Sequence, residues 1–247
     1  MKKTLILLVL SIAIFTSVYA QGFNINTGIG YANRSFKIEE SGEESSIGFN
    51  AFQAQIGIDY TFRNNMFLYG DFSMAFPSKI FAKNDGEKQT LSKKQISNFL
   101  IESMKSSTGY DFSIDKTLLL GYGFSVGCGY CLKPVQNLTI KLGGGFRYDA
   151  GLLKFKDITI RSASSQSMDE KLIISTIGLN FQFETDYLIS DHVGIMLSLK
   201  PNIGFHTFKK AKVKGSSDAL NMNATENRDY SKCSFTFNAT AGMVFAF

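Results

Sequence analysis

The sequence contains no tryptophan, three prolines, three cysteines and two histidines among its 247 residues. So few prolines leave backbone ladders almost uninterrupted, and three thiols do not make the even-numbered disulfide framework of a small secreted domain. Cys128-Gly-Tyr-Cys131 has the spacing of a redox pair. It falls inside an alternating strand, however, where positions three apart face opposite sides of a sheet. The two thiols are therefore not expected to bridge, Cys233 is left over, and the same geometry argues against zinc. No cofactor is implied.

A large excess of one charge is missing too. The formal charge of +5 falls to +3 when Lys2 and Lys3 are removed with the N-terminal segment. That is too modest to point to nucleic acid. After that segment no stretch approaches the 18 continuous apolar residues of a membrane helix, which excludes a helical membrane protein.

What is present starts with the N-terminus, MKKTLILLVLSIAIFTSVYA. Two lysines, an apolar run from Leu5 to Phe15 and Val18-Tyr19-Ala20 form the three parts of a secretory signal. Residues 1–20 are expected to be cleaved, leaving 21–247 as a single β domain. The 23 phenylalanines, 10 tyrosines and 22 glycines suit strands better than helices.

The hydrophobic period is two almost throughout. Alternation predicts strands at about 22–34, 48–62, 66–76, 115–132, 138–153, 171–187, 193–207 and 233–247. The connections alternate strictly between long (35–47, 77–114, 154–170, 208–232) and short (63–65, 133–137, 188–192). In an up-and-down antiparallel sheet this puts every long loop at one end and every short turn, with both termini, at the other. Such asymmetry is that of transmembrane barrels, whose periplasmic turns are short and extracellular loops long.

Alternation alone does not say which face is inside, because a lipocalin-like barrel points its apolar residues inward. Two features favour the inverted arrangement. The polar face is rich in glycine and carries both signs: Asp59, Asp71, Asp149, Glu184 and Asp186 against Lys141, Arg147 and Lys200. Enclosed charges need partners, and a confined lumen supplies them across neighbouring strands. On the apolar face, aromatics gather near strand ends, with Tyr60, Phe62, Tyr130, Phe183, Tyr187, Phe245 and Phe247 towards the short turns. Tyr31, Phe52, Phe76, Phe146, Tyr148, Phe205 and Phe235 lie nearer the long loops, so two girdles match two membrane interfaces.

On these residues the chain resembles the small eight-stranded outer-membrane barrels of the OmpX, OmpW and opacity type, and small spirochaete-type barrels of unassigned function, over all of 21–247. The closing CSFTFNATAGMVFAF, with Phe245 and Phe247, resembles the signal read by the barrel-assembly machinery. The resemblance implies an all-β, antiparallel up-and-down barrel in the bacterial outer membrane, with extracellular loops, acting as a monomer.

The loops carry the remaining signals. Ser92 followed by Gln95 has capping-box spacing, and Ile96, Phe99, Leu100 and Met104 recur at helical intervals before Gly109. A short amphipathic helix is predicted there, packing on the loops or capping the mouth. Lys93, Lys94 and Phe99 with Lys209 and Lys210 form a candidate interaction surface for anionic glycolipid or host molecules.

The expected function is that of a surface-exposed structural or adhesin-like protein. The alternative is a narrow channel or binding barrel for small apolar solutes. A lipid-modifying enzyme is the remote alternative: His192 sits in a short turn, while His206, expected to point inward, has Ser234 on the neighbouring strand but matches no signature.

Overall fold

The computed structural model describes residues 20–40, 43–84, 87–108, 110–160, 167–216 and 223–247. The expected signal peptide, Ala20 apart, lies outside the described residues.

Antiparallel strands form one sheet: β1 (Ala20–Glu40), β2 (Glu43–Phe62), β3 (Met66–Asn84), β4 (Glu87–Ser92), β5 (Phe112–Val135), β6 (Leu138–Ile160), β7 (Ser167–Leu188), β8 (Val193–Ser216), β9 (Asn223–Tyr230) and β10 (Ser234–Ala246). Eight of them run β10-β1-β2-β3-β5-β6-β7-β8 around a ring, and β10 pairs β8 to close it. The seam at β1 is complete from Asn24 opposite Ala246 to Arg34 opposite Thr236, so the barrel has no open edge there. β4 and β9 are short strands of the same sheet, paired edge to edge with the far ends of β3 and β8.

The apolar face points outward. Ile29, Phe52, Ile58, Phe72, Phe124, Phe146, Phe183 and Leu197 are exposed, whereas Gln53, Asp71, Ser125, Arg147, Glu184 and Lys200 are buried. Burial is inverted relative to a water-soluble barrel, because hydrocarbon surrounds the one and water the other.

The short turns follow from local chemistry. Asn65 adopts φ 64°, a left-handed conformation that asparagine tolerates, while the Asn64 side chain accepts from the Met66 N–H at 3.1 Å. Ser190 Oγ likewise accepts from Val193 N–H at 3.2 Å. The one helix among the described residues, α1 (Lys93–Thr108), begins with the expected box. Ser92 N–H donates to Gln95 Oε1 at 2.8 Å and Gln95 N–H donates to Ser92 Oγ at 3.4 Å.

The long connections differ from expectation. Residues 35–40 and 43–47 are strand and not loop: β1 and β2 stay in register to Glu40 opposite Glu43. β6 and β7 continue to Thr159 opposite Ser167, and β7 and β8 to Ser167 opposite Ser216. Beyond a bilayer both faces of a strand meet polar surroundings, so alternation fades while the backbone still needs hydrogen-bond partners. The hairpins therefore project as a wall of strands, and only the pattern that marks them in sequence is lost.

Candidate functional site

Following the inward residues from the short-turn end outward, the lumen is filled in layers. The first is a cage around Lys141, whose Nζ lies 2.7 Å from Asp59 Oδ2, 3.0 Å from Glu184 Oε1 and 2.6 Å from Asp186 Oδ2. Register sets this up, since Lys141 on β6 stands opposite Glu184 on β7 and Asp59 on β2 opposite Asn24 on β1. Asn24 and Asn26 each donate to Asp59 at 2.8 Å, and Gln182 donates to Glu184 at 3.1 Å. Beneath the cage a vestibule of about 260 Å³ opens at the short-turn end, lined by Lys133, Thr139, Asp186, Asp191 and His192 among others.

Next come Phe67, Tyr69 and Cys131, packed as a buried cluster. A Cβ on Gly129 would stand 2.6 Å from Phe67 Cε1, so glycine there lets the ring cross the lumen. Tyr69 OH accepts from Asn180 at 2.8 Å, and Gln53 donates to Thr240 at 2.9 Å.

Further out lies the second charge cluster. Arg147 Nε is 2.8 Å from Asp149 Oδ2 and its Nη1 is 3.4 Å from Asp71 Oδ1. Lys200 Nζ is 2.8 Å from Asp71 Oδ2, and Ser125 Oγ also donates to that carboxylate. Arg34 Nε is 3.4 Å from Asp149 Oδ1, while its Nη1 donates to the carbonyls of Tyr122 at 2.5 Å and Ala150 at 3.1 Å. Ser73 Oγ accepts from both arginines, at 3.1 Å and 3.0 Å. All eight charged residues singled out from the sequence are buried in these two clusters.

Above the arginines the lumen turns apolar, with Ala32, Phe36, Phe49, Ala51, Ala75 and Ile174 forming one buried cluster. The Arg34 guanidinium lies 5.9 Å from the centre of the Phe49 ring. A second apolar cluster joins Ile96 and Leu100 of α1 to Phe112, Phe155 and Ile158 of the projecting strands. The helix thus uses its apolar face against the wall. On that wall Asp169 is held below the usual carboxylate range: slight burial acts the other way, but the Asp157 N–H at 3.2 Å and Lys154 at 3.4 Å outweigh it.

Arg34, Phe36, Phe49 and Phe67 are among the large side chains that fill the lumen and were not singled out from the sequence. Arg34, Phe36 and Phe49 stand at or beyond the predicted strand ends, yet the same alternation, continued past Ala32 on β1 and before Ala51 on β2, places all three inward. Phe67 resembles part of the apolar face by residue type, although it shares parity with Tyr69 and Asp71.

The interaction surface expected from lysines and Phe99 is not one surface. Lys94 is exposed on α1, which packs on β3, β4 and β5, whereas Lys209 and Lys210 stand on β8 with β6 and β7 between. The side chains of Lys93 and Phe99 lie outside the described residues. Phe245 lies on the outer face opposite Ile25 and Val193. Phe247 N–H donates to the Phe23 carbonyl at 2.9 Å, which ties the last residue to β1.

Nor does the histidine–serine pair form. A register shift at Ile177/Gly178 makes His206 the partner of outward Ile177, so it does not point inward. Its ring packs on Phe208 at 4.5 Å, its Nδ1 lies 3.4 Å from Ser231 Oγ, and Ser234 Oγ contacts Thr176 Oγ1 at 3.2 Å instead. The cysteines are unpaired, with Cys131 in the lumen and Cys128 exposed on the outer face.

A family model described as "Domain of unknown function (DUF2715)" matches residues 18–247. No curated protein matches the chain. Among solved structures it is similar to a major outer membrane protein from Thermus thermophilus, with a TM-score of 0.55 and 11% identity over 92% of this chain and 98% of that one. It is also similar to the outer membrane protein OprG from Pseudomonas aeruginosa, with a TM-score of 0.48 and 13% identity over 93% and 97% of the two chains. The likeness to the Thermus protein, at 11% identity, is one of fold: the small outer-membrane β-barrel.

Proposed function

From the premise that the chain belongs to the DUF2715 family and carries an outer-membrane barrel fold, we propose that it works as a surface-exposed interaction protein of the outer membrane, anchored by its barrel. The observation that carries this reading is the blocked lumen. Two ion-pair clusters, the Phe67–Tyr69 layer and the Phe36–Phe49 layer succeed one another along the axis, and α1 packs beyond them. Eight strands leave room for little except side chains. What the molecule offers its surroundings is therefore the projecting wall, α1 and the connections around them. The termini lie with the short turns at the periplasmic end, so the wall faces outward from the cell, and the C-terminal strand serves the assembly machinery as its address.

Planar-bilayer recording on refolded protein tests this directly. The expected record is silent; steady, discrete channels would overturn the proposal in favour of transport. Protease added to intact cells should cut within residues 77–114 while leaving the barrel strands protected.

A further inference from the structure

The outer face of β6–β8 changes character in register. One row runs Tyr122, Ala150, Ser175, Phe208 across β5 to β8, and the next runs Leu120, Leu152, Ile173, Lys210. The row beyond that is Leu118, Lys154, Lys171, Lys212, which sets three lysines side by side on adjacent strands. Like charges directly opposite one another on a sheet are destabilising. Among the described residues no carboxylate lies within ion-pair distance of Lys171, Lys210 or Lys212, and Asp169 reaches only Lys154, at 3.4 Å.

Height gives this row its meaning. From Ile140 to Leu152 the strand advances about 40 Å, or roughly 30 Å along the barrel axis at the usual tilt, the thickness of a hydrocarbon core. Lys154 therefore emerges where lipid headgroups begin. Just below it a groove of about 350 Å³ is lined by Tyr122, Tyr148, Ile173, Phe208, Lys210 and Asp229 among others. Its rings face an acyl chain while its lysine faces the headgroup layer. Across the ring, the first polar row beyond the apolar belt runs Asn33, Asn50, Lys79 on β1 to β3, with one lysine where β6–β8 set three side by side. Asn33 and Asn50 are bonded to each other at 2.6 Å, and Asn50 is bonded to Tyr31 at 2.8 Å.

We propose that Lys154, Lys171, Lys210 and Lys212 hold the phosphate headgroup of an anionic phospholipid whose acyl chain lies in the tyrosine-lined groove. This rests on the reading of the barrel as membrane-embedded. The bound anion relieves the lysine row, and the site makes one sector of the wall selective for charged lipid.

The test uses the full mature barrel refolded into vesicles of phosphatidylcholine with a minor fraction of spin-labelled phosphatidylglycerol or spin-labelled phosphatidylcholine. The expected result is a motionally restricted population several-fold enriched in phosphatidylglycerol and reduced by salt. Lys171→Gln with Lys212→Gln should cut that preference at least about 5-fold, whereas Lys171→Arg with Lys212→Arg should keep it. Lys79→Gln with Lys83→Gln on β3 should leave it unchanged. Equal restriction of both lipids by the wild type, or a preference untouched by the glutamine pair, overturns the proposal while the embedded barrel stands. Failure of the wild type to insert into either vesicle overturns the embedding itself.

Discussion

The two charge clusters of the lumen are built from the same residue types and balance differently. Around Lys141 one ammonium faces the carboxylates of Asp59, Glu184 and Asp186. Further out, Arg34, Arg147 and Lys200 share the carboxylates of Asp71 and Asp149. The first cluster adjoins the vestibule at the short-turn end, whereas the second is enclosed between the Tyr69 layer and the Phe36–Phe49 layer. Unpaired charge becomes more costly the further it lies from water. The open cluster holds two more carboxylates than cations, while the sealed one is unbalanced by a single group and is redundantly wired.

That difference predicts unequal responses to losing one cation. Lys141→Met leaves three carboxylates facing one another and should destabilise the barrel by about 3–5 kcal/mol. Arg147→Met should cost less, about 2–3 kcal/mol, because Asp71 keeps Lys200 and Ser125 while Asp149 keeps Arg34 and Thr236. Urea titration of reversible folding in detergent or lipid reads both. A larger loss for Arg147→Met would show that enclosure, and not partner count, decides.

Sterics sharpen the contrast from another side. A Cβ on Gly123 would come within 2.5 Å of Asp149 Oδ1 and 2.6 Å of Arg147 Nη2. Gly123→Ala therefore pushes directly on the sealed cluster and should cost about 1–2 kcal/mol. Adding Arg147→Met should bring a smaller loss on the Gly123→Ala background than on the wild type, because one of the two crowded groups is already displaced.

How much of this could be read from the sequence follows the bilayer. Within it, alternation is enforced by lipid on one side and a narrow lumen on the other, and the strand phases, the inversion and all eight enclosed charges were legible. Beyond it that constraint ends. Residues 35–47 read as a loop although β1 and β2 are paired as far as Glu40 opposite Glu43, and Phe36, one side of the Phe36–Phe49 layer, is hidden with them. His206 escapes the pattern for a related reason: a register irregularity on β8 shifts parity by one and leaves no mark in the pattern of residue types. The helix, by contrast, is visible, because its capping box and apolar spacing are local signals. Which carboxylate pairs with which cation is not, since pairing depends on cross-strand register and on side chains reaching across the lumen.

The smallest expected effect separates the clusters most cleanly, because one chemical change should act with opposite sign in each. Asp186→Asn removes one of the three carboxylates from the open cage, while Asp59 and Glu184 remain 2.7 Å and 3.0 Å from Lys141. Asp186 Oδ1 has no hydrogen-bond partner among the described residues, and an asparagine oxygen in place of Oδ2 still accepts from Lys141. Relief of carboxylate repulsion should leave stability unchanged or raise it by up to about 1 kcal/mol. Asp149→Asn performs the same exchange in the sealed cluster, where cations already outnumber carboxylates, and it should lower stability. If both substitutions destabilise equally, the surplus around Lys141 is not tolerated through its opening, and the asymmetry between the two ends of the lumen has another cause.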